Sequence, residues 1–208
     1  MKNFLRWTCL FAAFVFSNAA IAQTNSDSKP SPFGLGSNLV TYNFGYGNSM
    51  LHEIKVDHFF RDNISLLYAA RYSRPVIRQH SSDAEFTAPL GASIGVGMGF
   101  MLGGGSACGY LDPDVFFGVF MYSCMIPDGI AFHFYPSEKI DISPYINVTG
   151  LTIASRNNET GFYYTPSAGL RCFYAPTENV VLSLEQQVLV RPENTYAANL
   201  SLGIGLHF

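Results

Sequence analysis

The C-terminal segment of the chain alternates apolar residues with small or polar ones at a period of two. One face of this segment carries Leu200, Leu202, Ile204, Leu206 and Phe208. The opposite face carries Ser201, Gly203, Gly205 and His207. A period of two predicts a β-strand. A uniformly apolar face opposite a small, polar one is typical of a strand that lies between lipid and a narrow lumen.

The same alternation recurs along most of the chain. It predicts strands at 38–47, 51–60, 64–73, 91–102, 115–125, 130–135, 140–154, 162–174, 179–191 and 200–208. The polar segments 74–86 and 156–161 are predicted to be exposed loops. This pattern gives ten strands.

A repeated turn favours a different count. An aromatic pair is followed by a short polar turn and a new alternating run at 58–65, 133–141 and 172–181. Three such turns on one side of a membrane predict eight strands, with a long extracellular excursion over 76–124. Ten strands are slightly favoured over eight, because so long an excursion exceeds ordinary loop lengths.

The cysteines bear on this choice. Cys108 and Cys124 would lie at opposite ends of one ten-residue strand, roughly 30 Å apart and beyond the reach of a disulfide. A bond between them would therefore favour eight strands, and the sequence leaves open whether it forms.

The N-terminal segment predicts export. Residues 1–22 have the pattern of a signal peptide, with Lys2 and Arg6 before an apolar run and a small-residue cleavage site at its end. Residues 23–36 are predicted to be a periplasmic lead-in, and 37–208 a barrel. Among membrane proteins, only closed barrels distribute apolar residues in short alternating runs, because every backbone polar group must be paired without water. The predicted fold class is therefore all-β, a closed antiparallel up-and-down transmembrane β-barrel.

The chain resembles the small bacterial outer-membrane β-barrels, the group that includes the outer-membrane protein A barrel and the outer-membrane protein X-like proteins. The resemblance rests on Ala20, Ile21 and Ala22, on the three repeated turns and on residues 200–208. It implies a Gram-negative outer-membrane location among lipid and lipopolysaccharide. It also implies insertion by the barrel-assembly machinery, with an assembly signal formed by Leu200, Leu202, Ile204, Leu206 and Phe208.

Six charged residues are predicted to face the lumen and form the main candidate site. They are Glu53, Lys55, Asp57, Arg71, Arg171 and Glu185, and we call them the lumen charges. Charges inside a barrel must be paired or hydrated. They form either a salt-bridged plug or, in the alternative, the lining of a narrow porin-like channel with ion preference.

Catalytic motifs are weak. Ser93 matches the G-x-S-x-G pattern without its strand–turn–helix context. His80 and Ser81 lie near Glu85, but in a predicted loop. We therefore predict no enzyme, no metal and no cofactor. The net charge of −3, without a basic stripe, argues against nucleic-acid binding. The predicted role is structural, or adhesive towards an extracellular ligand through 74–86 and 156–161; a lipid A-modifying hydrolase is the second alternative, after the channel.

Overall fold

The computed structural model describes residues 33, 36–76, 84–103, 113–148, 151–156, 159–191 and 195–208. The predicted signal peptide lies outside these residues, and so does most of the lead-in. The strands are β1 (Asn38–Gly47), β2 (Ser49–Arg61), β3 (Ile64–Pro75), β4 (Ala84–Ala88), β5 (Gly129–Phe132), β6 (Phe134–Ser137), β7 (Ile140–Asn147), β8 (Leu151–Arg156), β9 (Glu159–Tyr164), β10 (Ser167–Tyr174), β11 (Val180–Arg191) and β12 (Thr195–His207). The helices are α1 (Leu90–Gly103) and α2 (Pro113–Ser123).

The strands close into a barrel. Antiparallel pairing runs from β1 through β2, β3, β5, β7, β10, β11 and β12, and β12 pairs back onto β1. β6 continues β5 beyond His133 and also pairs with β7. The closed ring therefore has eight strands. The predicted fold class is confirmed, but the preference for ten strands is wrong.

One barrel strand is split by a long insertion. β4 pairs with the C-terminal part of β3, where Arg71 lies opposite Thr87. β5 pairs with the N-terminal part of β3, where Leu67 lies opposite Gly129. β4 and β5 are thus two halves of the same barrel strand. α1 and α2 leave the wall between them. On its other edge, β4 pairs with β8, and β8 pairs in turn with β9.

The two helices explain the wrong strand count. Residues 91–102 and most of 115–125 were predicted to be strands, yet they lie in α1 and α2. The glycines of α1 recur every two residues and also every four, so its pattern fits both periods, and periodicity alone does not distinguish a strand from an apolar helix. None of the helices in the described ranges is long and apolar enough to cross a bilayer.

The predicted loops are shorter than expected. β3 extends to Pro75, and β4 begins at Ala84, so both ends of segment 74–86 are strand. Most of 156–161 belongs to the hairpin of β8 and β9, in which Arg156 lies opposite Glu159. These residues are polar, but hydrogen bonding between strands continues beyond the apolar belt. Residues 77–83 and 157–158 lie outside the described ranges.

Both chain ends of the barrel lie at the end that carries the repeated turns. The amide of Asn38 donates to the carbonyl of Phe208 at 2.8 Å, and the amide of His207 donates to the carbonyl of Asn179 at 2.9 Å. The three repeated turns connect β2 to β3, β6 to β7 and β10 to β11 at this end. Short turns are typical of the periplasmic side, so we assign this end to the periplasm.

Candidate functional site

The lumen is packed with polar side chains at its middle. Lys55 lies between two carboxylates, 3.0 Å from Glu53 and in a shorter ion pair with Glu185. Its ammonium also donates to the Tyr145 hydroxyl at 3.1 Å. Gln187 donates to the Tyr145 hydroxyl at 2.9 Å and to Glu53 at 3.3 Å. All five side chains are buried, so this cluster fills the barrel at that level.

On the side of this cluster away from the periplasm lies one more cation, Arg71. The Arg71 Nε lies 3.4 Å from a carboxylate oxygen of Glu53. β2 and β3 bring the two residues directly opposite each other. Glu53 therefore has a cation on either side, which stabilises a buried carboxylate.

Arg171 and Asp57 form a second ion pair, nearer the periplasmic end. The two guanidinium NH groups of Arg171 donate to the two carboxylate oxygens of Asp57 at 2.8 and 2.7 Å. Arg171 also donates to the Ser143 hydroxyl at 3.0 Å. Its guanidinium lies over the rings of Tyr145 and Phe173. A bidentate pair of this kind fixes the relative positions of the strands that carry it.

Ser65, His133 and Asp141 have the connectivity of a catalytic triad. The His133 Nδ1 lies 2.6 Å from Asp141, and its Nε2 lies 2.8 Å from the Ser65 hydroxyl. Ser65, however, donates its only hydroxyl hydrogen to Asp57 at 2.9 Å. A serine that gives its hydrogen to Asp57 does not give it to the imidazole, whereas a general base must accept the serine proton. All three side chains are almost completely buried, so the cluster is organised as a structural network.

An apolar cluster closes the periplasmic end of the lumen. It consists of Phe33, Leu39, Phe59, Phe173, Ala175 and Val181, with Tyr135 packed against it. We call it the periplasmic plug. The Phe33 ring lies 6.1 Å from that of Phe59 and 6.3 Å from that of Phe173. Phe33 precedes β1, so a residue outside the strands completes the seal.

The described lumen has little room for larger side chains. Gly203 of β12 faces inward, and a Cβ atom added there would meet the side chains of Asn43 and Ser183 and, at 2.6 Å, the Tyr42 carbonyl oxygen. The small inward face of the C-terminal segment is therefore matched to the polar side chains opposite. The site can hold charges in fixed pairs and exclude a wide aqueous path, as expected for small barrels with filled interiors.

The structure brings the six lumen charges together in two groups. Glu53, Lys55, Arg71 and Glu185 form one group, and Asp57 and Arg171 form the other. Tyr145, Ser65, His133 and Asp141 also belong to this network, and none of them was among the predicted site residues. All four lie on inward faces, and for Tyr145, Ser65 and Asp141 that face was predictable from alternation. Phe33 carried no comparable signal.

The weaker catalytic candidates have ordinary contacts. Ser93 lies in the first turn of α1, and its hydroxyl donates to the Pro89 carbonyl at 2.9 Å. Glu85 accepts a hydrogen bond from Ser73 at 3.2 Å. His80, Ser81 and Cys108 lie outside the described residues. Cys124 has no disulfide within the described part of the chain.

The outer surface of the barrel is apolar. Its exposed side chains include Tyr42, Phe44, Ile54, Ile146, Leu182, Leu184, Leu200, Leu202, Ile204 and Leu206. Exposed aromatic residues lie near both ends, with Tyr46, Tyr164 and Tyr196 at one and Phe60, Tyr174 and Phe208 at the other. An apolar belt between aromatic girdles, around a polar interior, is the arrangement of outer-membrane barrels. The chain is a transmembrane β-barrel. Its surface agrees with the predicted outer-membrane location.

Comparisons with known proteins concern the fold. No family model and no curated protein matches the sequence. Among solved structures, the chain is similar to the N-terminal β-barrel domain of Pseudomonas aeruginosa OprF, with 14% identity and a TM-score of 0.47, over 84% of this chain and 99% of that chain. It is also similar to the attachment invasion locus protein Ail of Yersinia pestis, with 9% identity and a TM-score of 0.45, over 84% and 99% of the two chains. Neisserial surface protein A gives 8% identity and a TM-score of 0.45, over 83% of this chain and 95% of that chain.

The eight-stranded ring and the apolar exterior of this chain agree with the small-barrel fold that was predicted from the sequence. The assignment rests on the strand pairing and the apolar surface of this chain itself.

Proposed function

We propose that this protein is a closed, non-enzymatic outer-membrane barrel, with a structural role or an adhesive one through its extracellular segments. The observation that supports a closed barrel is the filled lumen. One group of ion pairs occupies its middle, the Arg171–Asp57 pair lies nearer the periplasmic end, and the periplasmic plug closes that end. Because the lumen is filled, we expect the protein to contact its partners at its outer surface and its extracellular segments.

The channel alternative is less well supported. The lumen charges comprise three carboxylates and three cations, and every one of them has an oppositely charged partner within 4 Å. Charges that select ions must face water and exchange partners with the passing ion. Here the same groups are buried against one another and against Tyr145.

The hydrolase alternative is supported by connectivity alone. Ser65, His133 and Asp141 are linked by hydrogen bonds, but a nucleophile needs a free proton acceptor and an open approach for the substrate. The Ser65 hydroxyl is committed to Asp57, and Phe59 packs against the His133 ring with a centroid distance of 4.5 Å. Both observations favour the non-enzymatic role.

An adhesive role would use segments 74–86 and 156–161. Both are rooted in paired strands, since β4 pairs with β8 and β8 pairs with β9. Such a base limits the conformational entropy that a binding loop loses when it meets a ligand. Lipid and lipopolysaccharide would contact the apolar belt, and the barrel-assembly machinery would insert the chain.

Electrical conductance in planar lipid bilayers tests the closed barrel. We expect no steady conductance from the wild-type protein. A variant that opens both the central cluster and the periplasmic plug, Glu53→Ala with Lys55→Ala, Glu185→Ala, Phe33→Ala and Phe59→Ala, should show ion-conducting openings because its lumen is less filled at both levels. Glu178→Ala, in an exposed turn, is the matched control and should behave as wild type. A steady, large wild-type conductance would refute the proposal in favour of the channel.

A further inference from the structure

The helical hairpin, which we define as α1 and α2, leaves the barrel wall near its middle. Asp128, the last residue before β5, accepts a hydrogen bond from the amide of Ala69 at 2.6 Å. Ala69 is the sixth of the twelve residues of β3. A strand of this length spans the hydrocarbon region of a membrane when tilted. The base of the hairpin therefore lies close to the midplane of the bilayer.

The hairpin lies outside the barrel. Leu67 and Ala69 are buried in the lumen, so Tyr68 between them points outward. The Tyr68 hydroxyl donates to the carbonyl of Met125 at 3.0 Å. Met125 follows α2, and the C-terminal base of the hairpin thus contacts the exterior of the wall.

The two helices pack against each other through glycine. At Gly95, an added Cβ atom would lie 2.9 Å from the Phe120 Cα atom. At Gly97 an added Cβ atom would meet nothing within 4 Å. One face of α1 is therefore used against α2, and another face remains uncovered. A helix satisfies its own backbone hydrogen bonds, which allows it to lie in hydrocarbon.

The uncovered surface of the hairpin is apolar. α1 contains no charged residue, and the only charged residue of α2 is Asp114 in its first turn. Phe117 is 62% exposed and Met121 is 52% exposed. Val96 and Met98 of α1 are also exposed. In water this surface would be unfavourable, because apolar side chains of this size favour transfer out of water.

The length of the hairpin matches one leaflet. An 11-residue helix such as α2 is about 16 Å long, and half of the hydrocarbon core is about 15 Å thick. A hairpin that runs along the barrel axis from a base at the midplane would bring Asp114, in the first turn of α2, to the level of the membrane surface, where a carboxylate is hydrated.

We infer that the helical hairpin is an intramembrane element whose outer surface binds the acyl chains of the surrounding lipids. The inference rests on the proposed membrane location of the barrel. The apolar surface of the hairpin is continuous with the lipid-facing belt of the wall through Tyr68, and it offers no charge between Leu90 and Gly103 to a polar partner. Lipid hydrocarbon is the partner that this chemistry and this depth fit.

Tryptophan quenching by brominated lipids tests the inference. The chain contains one tryptophan, Trp7, so Trp7→Phe provides a background without tryptophan. Phe117→Trp and Met121→Trp report on the hairpin independently, should one of them fail to fold. Leu202→Trp, on the exposed exterior of β12, is the lipid control, and Asn48→Trp, in an exposed turn, is the water control.

Each variant is folded into phosphatidylcholine vesicles with and without brominated acyl chains. We expect both hairpin reporters to lose as much fluorescence to the brominated lipid as Leu202→Trp does, while Asn48→Trp keeps its own. Quenching of the hairpin reporters by acrylamide instead would place the hairpin in water and overturn the inference. Quenching by neither agent would also overturn the inference, because it would mean that protein covers the hairpin.

The controls separate the two levels of the proposal. If Leu202→Trp is quenched by brominated lipid and the hairpin reporters are not, the inference about the hairpin fails and the membrane barrel stands. If Leu202→Trp is itself unquenched, the membrane location fails.

Discussion

At the scale of residues, the lumen is organised by charges that are buried in pairs. Arg171 and Asp57 lie on strands that are not neighbours, β10 and β2, and their bidentate contact crosses the barrel. Removing one partner of a buried pair leaves an uncompensated charge, which costs more than the pair itself contributes. The lumen charges therefore act on stability through their pairing.

Arg171→Met tests this pairing. We expect the free energy of unfolding to fall by about 3–5 kcal/mol, because Asp57 is left buried without its cation. Urea titration in detergent or vesicles, followed by heat-modifiable gel migration, measures the change. Arg61→Met, at an exposed position at the end of β2, is the control and should change stability little.

Adding Asp57→Asn to Arg171→Met should recover part of the lost stability, since it removes the orphaned charge. Equal stability of Arg171→Met and the Arg61→Met control would contradict the structural role of the pair.

At the scale of elements, the junction between the hairpin and the barrel depends on Asp128. One carboxylate oxygen accepts the amide of Ala69, and the other accepts the amide of Leu90, the first residue of α1. The backbone of Asp128 also bonds to Leu67 of β3 and to Val148, the residue that follows β7. A single side chain thus bridges the interrupted strand, its neighbour and the N-terminus of a helix, where free amides need an acceptor.

Asp128→Ala should loosen this junction. Each orphaned amide costs about 1–3 kcal/mol when it is buried. We expect faster hydrogen exchange at Ala69 and Leu90, with little change in β11 on the far side of the ring. Glu138→Ala, in the exposed turn between β6 and β7, is the control. Unchanged exchange at both amides in Asp128→Ala would show that the carboxylate does not support the junction.

At the scale of the whole molecule, closure of the barrel depends on the C-terminal strand. β12 pairs with β11 and with β1, so it joins the two ends of the described barrel. Its apolar face, which includes Leu202 and Leu206, points outward, and Phe208 is 70% exposed. An assembly factor can therefore contact this face before the barrel closes. That role for Leu200, Leu202, Ile204, Leu206 and Phe208 stays a prediction.

Phe208→Ala tests the predicted assembly signal. The substitution removes the ring but keeps the two backbone hydrogen bonds between Phe208 and Asn38. We expect a reduced amount of folded protein in the outer membrane at high expression, measured by surface labelling. Phe208→Tyr, which retains a terminal aromatic ring, should insert as well as wild type. Wild-type surface levels of Phe208→Ala would refute the role of the ring.

The sequence by itself determined which strand residues face inward. The period of two is a local property of the backbone, so Glu53, Lys55 and Asp57 could be assigned to the lumen before any pairing was known. The same local pattern determined the closed-barrel class and the apolar exterior.

Only the tertiary structure decided how those residues combine. Lys55 pairs with Glu185 across 130 positions of sequence, and such a contact depends on the register of strands that the local pattern does not encode. The segment at 91–102 satisfies both the strand and the helix period, so the local pattern could not exclude it from the barrel wall. The count of eight strands followed from the pairing of β4 and β5, on either side of the helices, with the same strand β3. Phe33 fills the periplasmic end only because the closed ring leaves an apolar opening there. Alternation is set residue by residue, whereas closure, pairing and the insertion of the hairpin are set by contacts distant in sequence.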